Sequence, residues 1–261
     1  MKSSRILGAA FTVHSSFSEL MHQYDGFILD QFGVLHNGKH PLPGAVACVQ
    51  ELIRRKKKLV ILSNTSSPSK SALSKIQKIG FEPEWFEGGA VTSGEEASSY
   101  ISETYGKTRD GHQKKAIWFT YTSDKTPPPL DFLEACGDIQ LADTVEQADF
   151  IIAHGSEIWL KRDQKEMKLG SFMSDGNFDV LGPLLEQCKT RNLPLICANP
   201  DFVVKVADGS TAFMPGRSPA QIWKIEFLSL TCARVGRDDS STLREARRVL
   251  YFLWKAAGRP L

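Results

Sequence analysis

Cysteine is scarce in this chain, and nothing in its placement invites a bridge. The five residues, Cys48, Cys136, Cys188, Cys197 and Cys232, are odd in number, scattered, and form no Cys-x-x-Cys pair. Neither a disulfide framework nor a zinc site is implied, and a reducing compartment fits best. The sequence also lacks any run of the roughly 18 to 20 apolar residues needed to span a bilayer, and no secretory hydrophobic block opens it. A charge surplus is missing too. The 32 basic and 30 acidic side chains leave +2 over 261 residues, too little to draw nucleic acid or a membrane by electrostatics alone. No nucleic-acid or membrane partner is therefore expected, and partners must be read from sites. Acid is absent from Met1 to Ser18, where Lys2, Arg5 and several serines weakly resemble an organelle transit sequence. A mitochondrial or plastid location is the alternative to the cytoplasmic one expected.

What is present is ordinary for a folded globule: 41% hydrophobic and 24% charged residues. The length suits one large core, or one core with a smaller appended domain. Phe27-Ile28-Leu29-Asp30 is an apolar run that ends in a carboxylate, and Leu59-Val60-Ile61-Leu62 is a second run ending in Ser63-Asn64-Thr65-Ser66-Ser67-Pro68. Both read as buried strands. Between them Ala45, Val46, Val49, Leu52 and Ile53 recur at helical spacing. The basic run Arg54 to Lys58 that follows reads as a solvated helix end. Ala90-Val91-Thr92 predicts a short strand leading into a capped helix that runs to Tyr105. Further strands are expected at Ala116 to Phe119, Asp149 to Ala153 and Pro194 to Asn199, with a helix over Leu181 to Thr190. Trp118 and Phe119 read as core. His154 to Glu157 reads either as a plain turn or as part of a cleft wall.

Strand, helix, strand in this order gives a right-handed crossover and a parallel sheet, whose ligands sit beyond the carboxyl ends of the strands. Asp30 and Ser63 are then expected at one crevice. A carboxylate there can attack phosphorus if a divalent cation screens its charge, and Gly33 frees the backbone to approach a ligand. The Ser63 hydroxyl can hydrogen-bond the transferring phosphoryl group. On residue type alone, a strand-terminal Asp is more often a turn or cap residue.

Asp30-Gln31-Phe32-Gly33-Val34-Leu35, followed by Gly38 and Pro43-Gly44-Ala45, resembles the first motif of the haloacid dehalogenase (HAD) superfamily, in its class IIA branch with a C2-type cap. Ser63-Asn64-Thr65-Ser66 is similar to that branch's second motif, Val91-Thr92-Ser93-Gly94 to its approach to the cap, and Cys197-Ala198-Asn199-Pro200-Asp201 to its Asn-Pro-Asp segment. The resemblance implies an α/β fold, a HAD-like Rossmannoid parallel-sheet core with an inserted α/β C2-type cap. The implied organisation is an N-terminal extension (1–21), the first part of the core (22–97), the cap (98–199), and an incomplete return to the core with an atypical basic tail (200–261). It also implies a Mg²⁺-dependent phosphomonoester phosphatase acting through an aspartyl-phosphate. Asp30 would be the nucleophile, Ser63 and Asn64 phosphate contacts, and Asn199 and Asp201 residues on the substrate or cap side. Asp30 and the Phe32 backbone carbonyl would be metal ligands. The implied partner is a small phosphorylated metabolite, and a homo-oligomer is left open.

Two departures bear on activity. Where the family carries a second Asp as general acid and base, this chain has Phe32, and a phenyl ring transfers no proton. The contribution lost is roughly 10²- to 10⁴-fold unless another group substitutes. His36 could be recruited, although a histidine satisfied within its loop is the plainer reading. The family's Gly-Lys-Pro lysine and distal acidic motif are not recognisable. Lys224 reads as a helix lysine, Val235-Gly236-Arg237-Asp238-Asp239 is only a partial imitation of the acidic motif, and Arg244 to Trp254 reads as a basic surface helix. The alternative reading is thus a catalytically impaired HAD-like protein, a truncated isoform or pseudoenzyme, that binds a phosphorylated metabolite or a protein partner.

Overall fold

The computed structural model describes residues 3–6, 9–12, 14–106, 112–122, 127–205 and 209–218. Lys224, Val235 to Asp239, Arg244 to Trp254 and Cys232 lie outside them. The chain opens with an antiparallel pair, β1 (Ser3–Ile6) and β2 (Ala9–Thr12), followed by a single helical turn, α1 (Ser18–Met21).

The first α/β unit comprises β3 (Gly26–Leu29), α2 (Ala45–Arg54), β4 (Lys58–Ser63), α3 (Ser69–Gln77) and β5 (Ala90–Thr92). The strands pair in the order β3-β4-β5, all parallel, with Leu29 opposite Ile61 and Ser63 opposite Thr92. Period-two alternation assigns the faces. Phe27, Leu59 and Ile61 pack with Val49 and Leu52 of α2 and Ile76 of α3, whereas Val60 and Val91 cluster with Ile28 and Leu62 on the other side. Leu59, Val60 and Ile61 are fully buried, and each such side chain contributes about 1.5–3 kcal/mol by leaving water. α2 ends without glycine: Lys56 takes a left-handed φ of 57°, and its neighbours Arg54 and Arg55 both bond Glu51 at 2.6 Å. The basic run closes α2, and its last member, Lys58, opens β4.

The second unit begins with α4 (Ser93–Thr104), whose N-cap Thr92 accepts from the Glu95 amide at 3.2 Å. There follow β6 (Lys115–Thr120), α5 (Leu130–Ala135), β7 (Gln140–Leu141), β8 (Phe150–Ala153), β9 (Ile158–Leu160), β10 (Glu166–Lys168), α6 (Phe172–Asp175), α7 (Leu181–Thr190) and β11 (Leu195–Cys197). Its sheet is mixed, ordered β10-β9-β6-β8-β11, with β7 paired to β6 off that path. β6, β8 and β11 run parallel, while β9 is antiparallel to β6 and β10. Ile117, Phe119 and Ile151 face α7 through Leu181, Leu185 and Cys188. Ala116, Trp118, Phe150 and Ile152 face Ala97 and Ile101 of α4 and Phe132 of α5. Trp118 and Phe119 are both core, on opposite faces. Last comes a hairpin of β12 (Val203–Lys205) and β13 (Thr211–Phe213). The architecture is α/β, with a parallel core sheet and a second α/β layer.

Candidate functional site

The site is built on the two loops that leave β3 and β4 at the same edge of the parallel sheet. After Leu29 the chain turns sharply. The Gln31 carbonyl accepts from the amides of Leu35 and His36 at 2.8 and 3.1 Å, the Gly33 amide donates to the His36 carbonyl at 2.8 Å, and Gly33 takes φ +82°. That left-handed conformation is one a side chain would strain. Asp30 stands at the mouth of this turn, its Oδ1 accepting from the Gln31 amide at 2.7 Å. Asp30 opens to solvent, yet the protein around it displaces enough water to raise its pKa; the charge of Asp201 adds to the rise and the Gln31 amide opposes it.

Phe32 is 38% exposed and lies edge-on to the His36 ring, with centroids 6.0 Å apart. His36 is buried, and its Nδ1 accepts from the Gly38 amide at 2.9 Å. Burial, and then the charge of Lys75, lowers its pKa, so near neutral pH the ring is uncharged with its proton on Nε2. The Nδ1 lone pair is already engaged, so this is a histidine satisfied within its loop.

In the second loop Ser63 is buried and its Oγ accepts from the Thr65 amide at 3.3 Å. Asn64 Nδ2 donates to Asp201 Oδ1 at 2.8 Å, joining residues 137 apart in the chain. Asp201 is held up in pKa by burial, against the pull of that Asn64 bond. Asp30, Ser63, Asn64 and Asp201 are thereby gathered at one place. Asn199 does not join them through its side chain: its Oδ1 accepts from the Asp201 amide at 3.0 Å and shapes the turn that delivers Asp201. Sequence reading missed Lys75, an exposed residue whose ammonium donates to Ser67 Oγ at 2.9 Å. The only available signal was its position two turns into the helix that follows the serine-rich loop. It also missed the depth of His154, which stands at the bend after β8 and is only 1% exposed.

Among the described residues no group of three or more His, Cys, Asp or Glu side chains could hold a metal ion. The Asp30 carboxylate and the Phe32 carbonyl, which accepts no hydrogen bond among the described residues, are hard oxygen donors. They suit Mg²⁺ in kind and are the two groups that would hold it here.

A protein-family model described as haloacid dehalogenase-like hydrolase matches residues 27–123. Among solved structures, a haloacid dehalogenase-like hydrolase from Brucella suis 1330 is 20% identical, with 82% of this chain and 70% of that chain covered at a TM-score of 0.59. A possible sugar phosphatase of the HAD superfamily from Cytophaga hutchinsonii is 16% identical, with 95% and 78% covered and a TM-score of 0.56. A 4-nitrophenylphosphatase from Thermotoga maritima is 19% identical, with 78% and 66% covered and a TM-score of 0.50. These likenesses show a shared fold. A 68-residue segment, 25% of this chain, is 37% identical to a Caenorhabditis elegans protein named as a NipSnap protein and spans 13% of that protein's length. Residues 27–123 are thus similar to the haloacid dehalogenase-like hydrolases in sequence, and the described elements share the fold of the solved structures named above.

Proposed function

We propose that the protein is a phosphomonoester hydrolase in which Asp30 takes the phosphoryl group. The observation that carries this reading is the parallel register of β3 and β4, which brings Asp30 and the Ser63-Asn64 pair to one sheet edge, where α/β folds bind ligands. An Asp30 carboxylate oxygen attacks phosphorus as the ester P–O bond breaks, and the leaving oxygen departs with the electron pair and takes a proton from solvent water. Water then attacks the aspartyl-phosphate at phosphorus, releasing phosphate and restoring the carboxylate. The Ser63 hydroxyl and the Asn64 amide hydrogen-bond the phosphoryl oxygens, and Asp201 orients Asn64 through their 2.8 Å bond. A Mg²⁺ held by Asp30 and the Phe32 carbonyl would supply charge screening between carboxylate and phosphate.

Phe32 shapes the expected substrate. With no proton donor at that position, a leaving group that is stable as an anion, such as an aryl oxide, departs far more readily than an alkoxide. The same observation favours a second reading, a protein that binds a small phosphorylated metabolite without turnover. Hydrolysis of an aryl phosphate with Mg²⁺, by wild type and by Asp30→Asn, separates them. Activity in wild type that disappears in the variant supports the hydrolase; no activity in either, from protein that melts cooperatively, supports the binding reading.

A further inference from the structure

The serine-rich loop after β4 is held from outside its own sheet. The Thr65 carbonyl accepts from the Gly94 amide at 3.0 Å, and the Ser69 amide donates to Glu95 Oε2 at 2.9 Å. The second sheet itself contributes one further bond: His154, the residue that follows β8, places Nε2 3.1 Å from the Ser66 carbonyl oxygen. A carbonyl only accepts, so Nε2 carries the proton and Nδ1 is left to accept from Thr120 Oγ1, 3.3 Å away. The ring stacks on Tyr121 at 5.4 Å and lies 4.3 Å from Phe132, with Trp118 edge-on at 6.0 Å. Packed on these sides and bonded at both nitrogens, the imidazole has one orientation, and that orientation fixes the Ser66 carbonyl three residues from Ser63.

We infer that His154 is a positioning residue: it holds the Ser63–Ser67 loop in the conformation that presents Ser63 and Asn64 to a phosphoryl group, so the second sheet sets the geometry of the phosphate contacts. The phosphate part of this inference rests on the phosphatase reading above; the positioning part does not. Burial draws its pKa down to about 4, so the ring is neutral and the hold persists at neutral pH.

The test compares full-length wild type, His154→Gln and His154→Leu. A Gln amide nitrogen can reach the place of Nε2, whereas Leu fills space without donating. Hydrogen exchange reads the loop directly, and titration with inorganic phosphate reads its presentation. In His154→Leu, amides over 64–69 are expected to exchange roughly tenfold faster and phosphate to bind roughly tenfold more weakly, as for one buried hydrogen bond lost. Exchange over 27–35 stays as in wild type, and His154→Gln recovers both quantities to within about threefold. Thr120→Val, which removes only the hydroxyl holding Nδ1, is the gentler second variant should the Leu protein not melt cooperatively; it is expected to speed the same amides about threefold. Unchanged loop exchange in these variants, or equal behaviour of the Gln and Leu proteins, overturns the inference. If wild type binds no phosphate, the phosphatase reading fails alone, and exchange still decides the role of His154.

Discussion

Alanine at position 94 pits local propensity against packing. Gly94 lies in the first turn of α4, where alanine alone would favour the helix by about 1 kcal/mol. A Cβ there, however, meets the Ser66 carbonyl oxygen at 2.0 Å and its carbon at 2.3 Å. Both are backbone atoms, and carbon contacts sit near ~3.5 Å, so the loop must retreat by about an ångström or more. That retreat breaks the 3.0 Å bond from Gly94 to Thr65 and the 3.1 Å bond from His154 to Ser66. Two hydrogen bonds at about 1 kcal/mol each and overpacking at about 1–3 kcal/mol outweigh the propensity gain. The net cost is about 2–4 kcal/mol, a fall in Tm of about 10 °C for a domain of this size. Gly26→Ala is the matched control: its Cβ meets only a tight 3.2 Å contact with the Lys58 carbonyl, and Tm should fall by less than about 4 °C. Thermal unfolding followed by circular dichroism checks both. Melting of Gly94→Ala at or above the wild-type temperature would refute the reasoning, because propensity would then have won.

Phe32→Asp places a proton-transferring carboxylate at a position already 38% exposed, so it should fold and should raise turnover of an alkyl phosphate by about 10²-fold; steady-state kinetics against wild type decide. Burial draws the folded-state pKa of His154 down to about 4 from the 6.5 of a free imidazole, which sets a pH dependence of stability. The contribution of the neutral ring is complete above about pH 6.5 and is lost as pH falls toward about 4, because the unfolded chain takes up the proton first; the total is roughly 3 kcal/mol. Asp30 and Asp201, with raised pKa values, act in the opposite direction on acidification. The difference in melting between wild type and His154→Gln, measured across that range, isolates the histidine and should shrink toward pH 4. Burial pushes the thiols of Cys136, Cys188 and Cys197 up to about 12, so of the four described cysteines only half-buried Cys48 should label with a thiol reagent in the native state. Mass spectrometry of the labelled peptides reads this directly.

Much of the site was legible because two apolar runs, each ending in a polar residue and joined by one amphipathic helix, leave a right-handed crossover few alternatives. That places Asp30 and Ser63 without knowledge of contacts. The capped helix after Ala90-Val91-Thr92 was likewise legible, and the cap proves to be Thr92, accepting from the Glu95 amide. The bond between Asn64 and Asp201 was not readable, since both residues are turn formers by local rules and only the tertiary fold brings them together. β9 escaped because Ile158, Trp159 and Leu160 are all buried, which erases alternation, and three residues are too few for a pattern. β10 escaped for the opposite reason: Glu166 and Lys168 are exposed, and pairing with β9 alone makes it a strand. The role of His154 depends on rings at Trp118, Tyr121 and Phe132, contributed by β6, the segment just beyond it, and α5, so a histidine after a strand looks like any turn.

The central claim is that Asp30 receives the phosphoryl group, and it can be read on the protein itself. Acid quench of full-length protein mixed with Mg²⁺ and a ³²P-labelled aryl phosphate, followed by peptide mapping, tests it. Because Phe32 cannot activate the attacking water, the account predicts label accumulating on the peptide that contains Asp30 and no label on Asp30→Asn. Aryl phosphate hydrolysis with label on another residue, or hydrolysis that persists in Asp30→Asn, would contradict it.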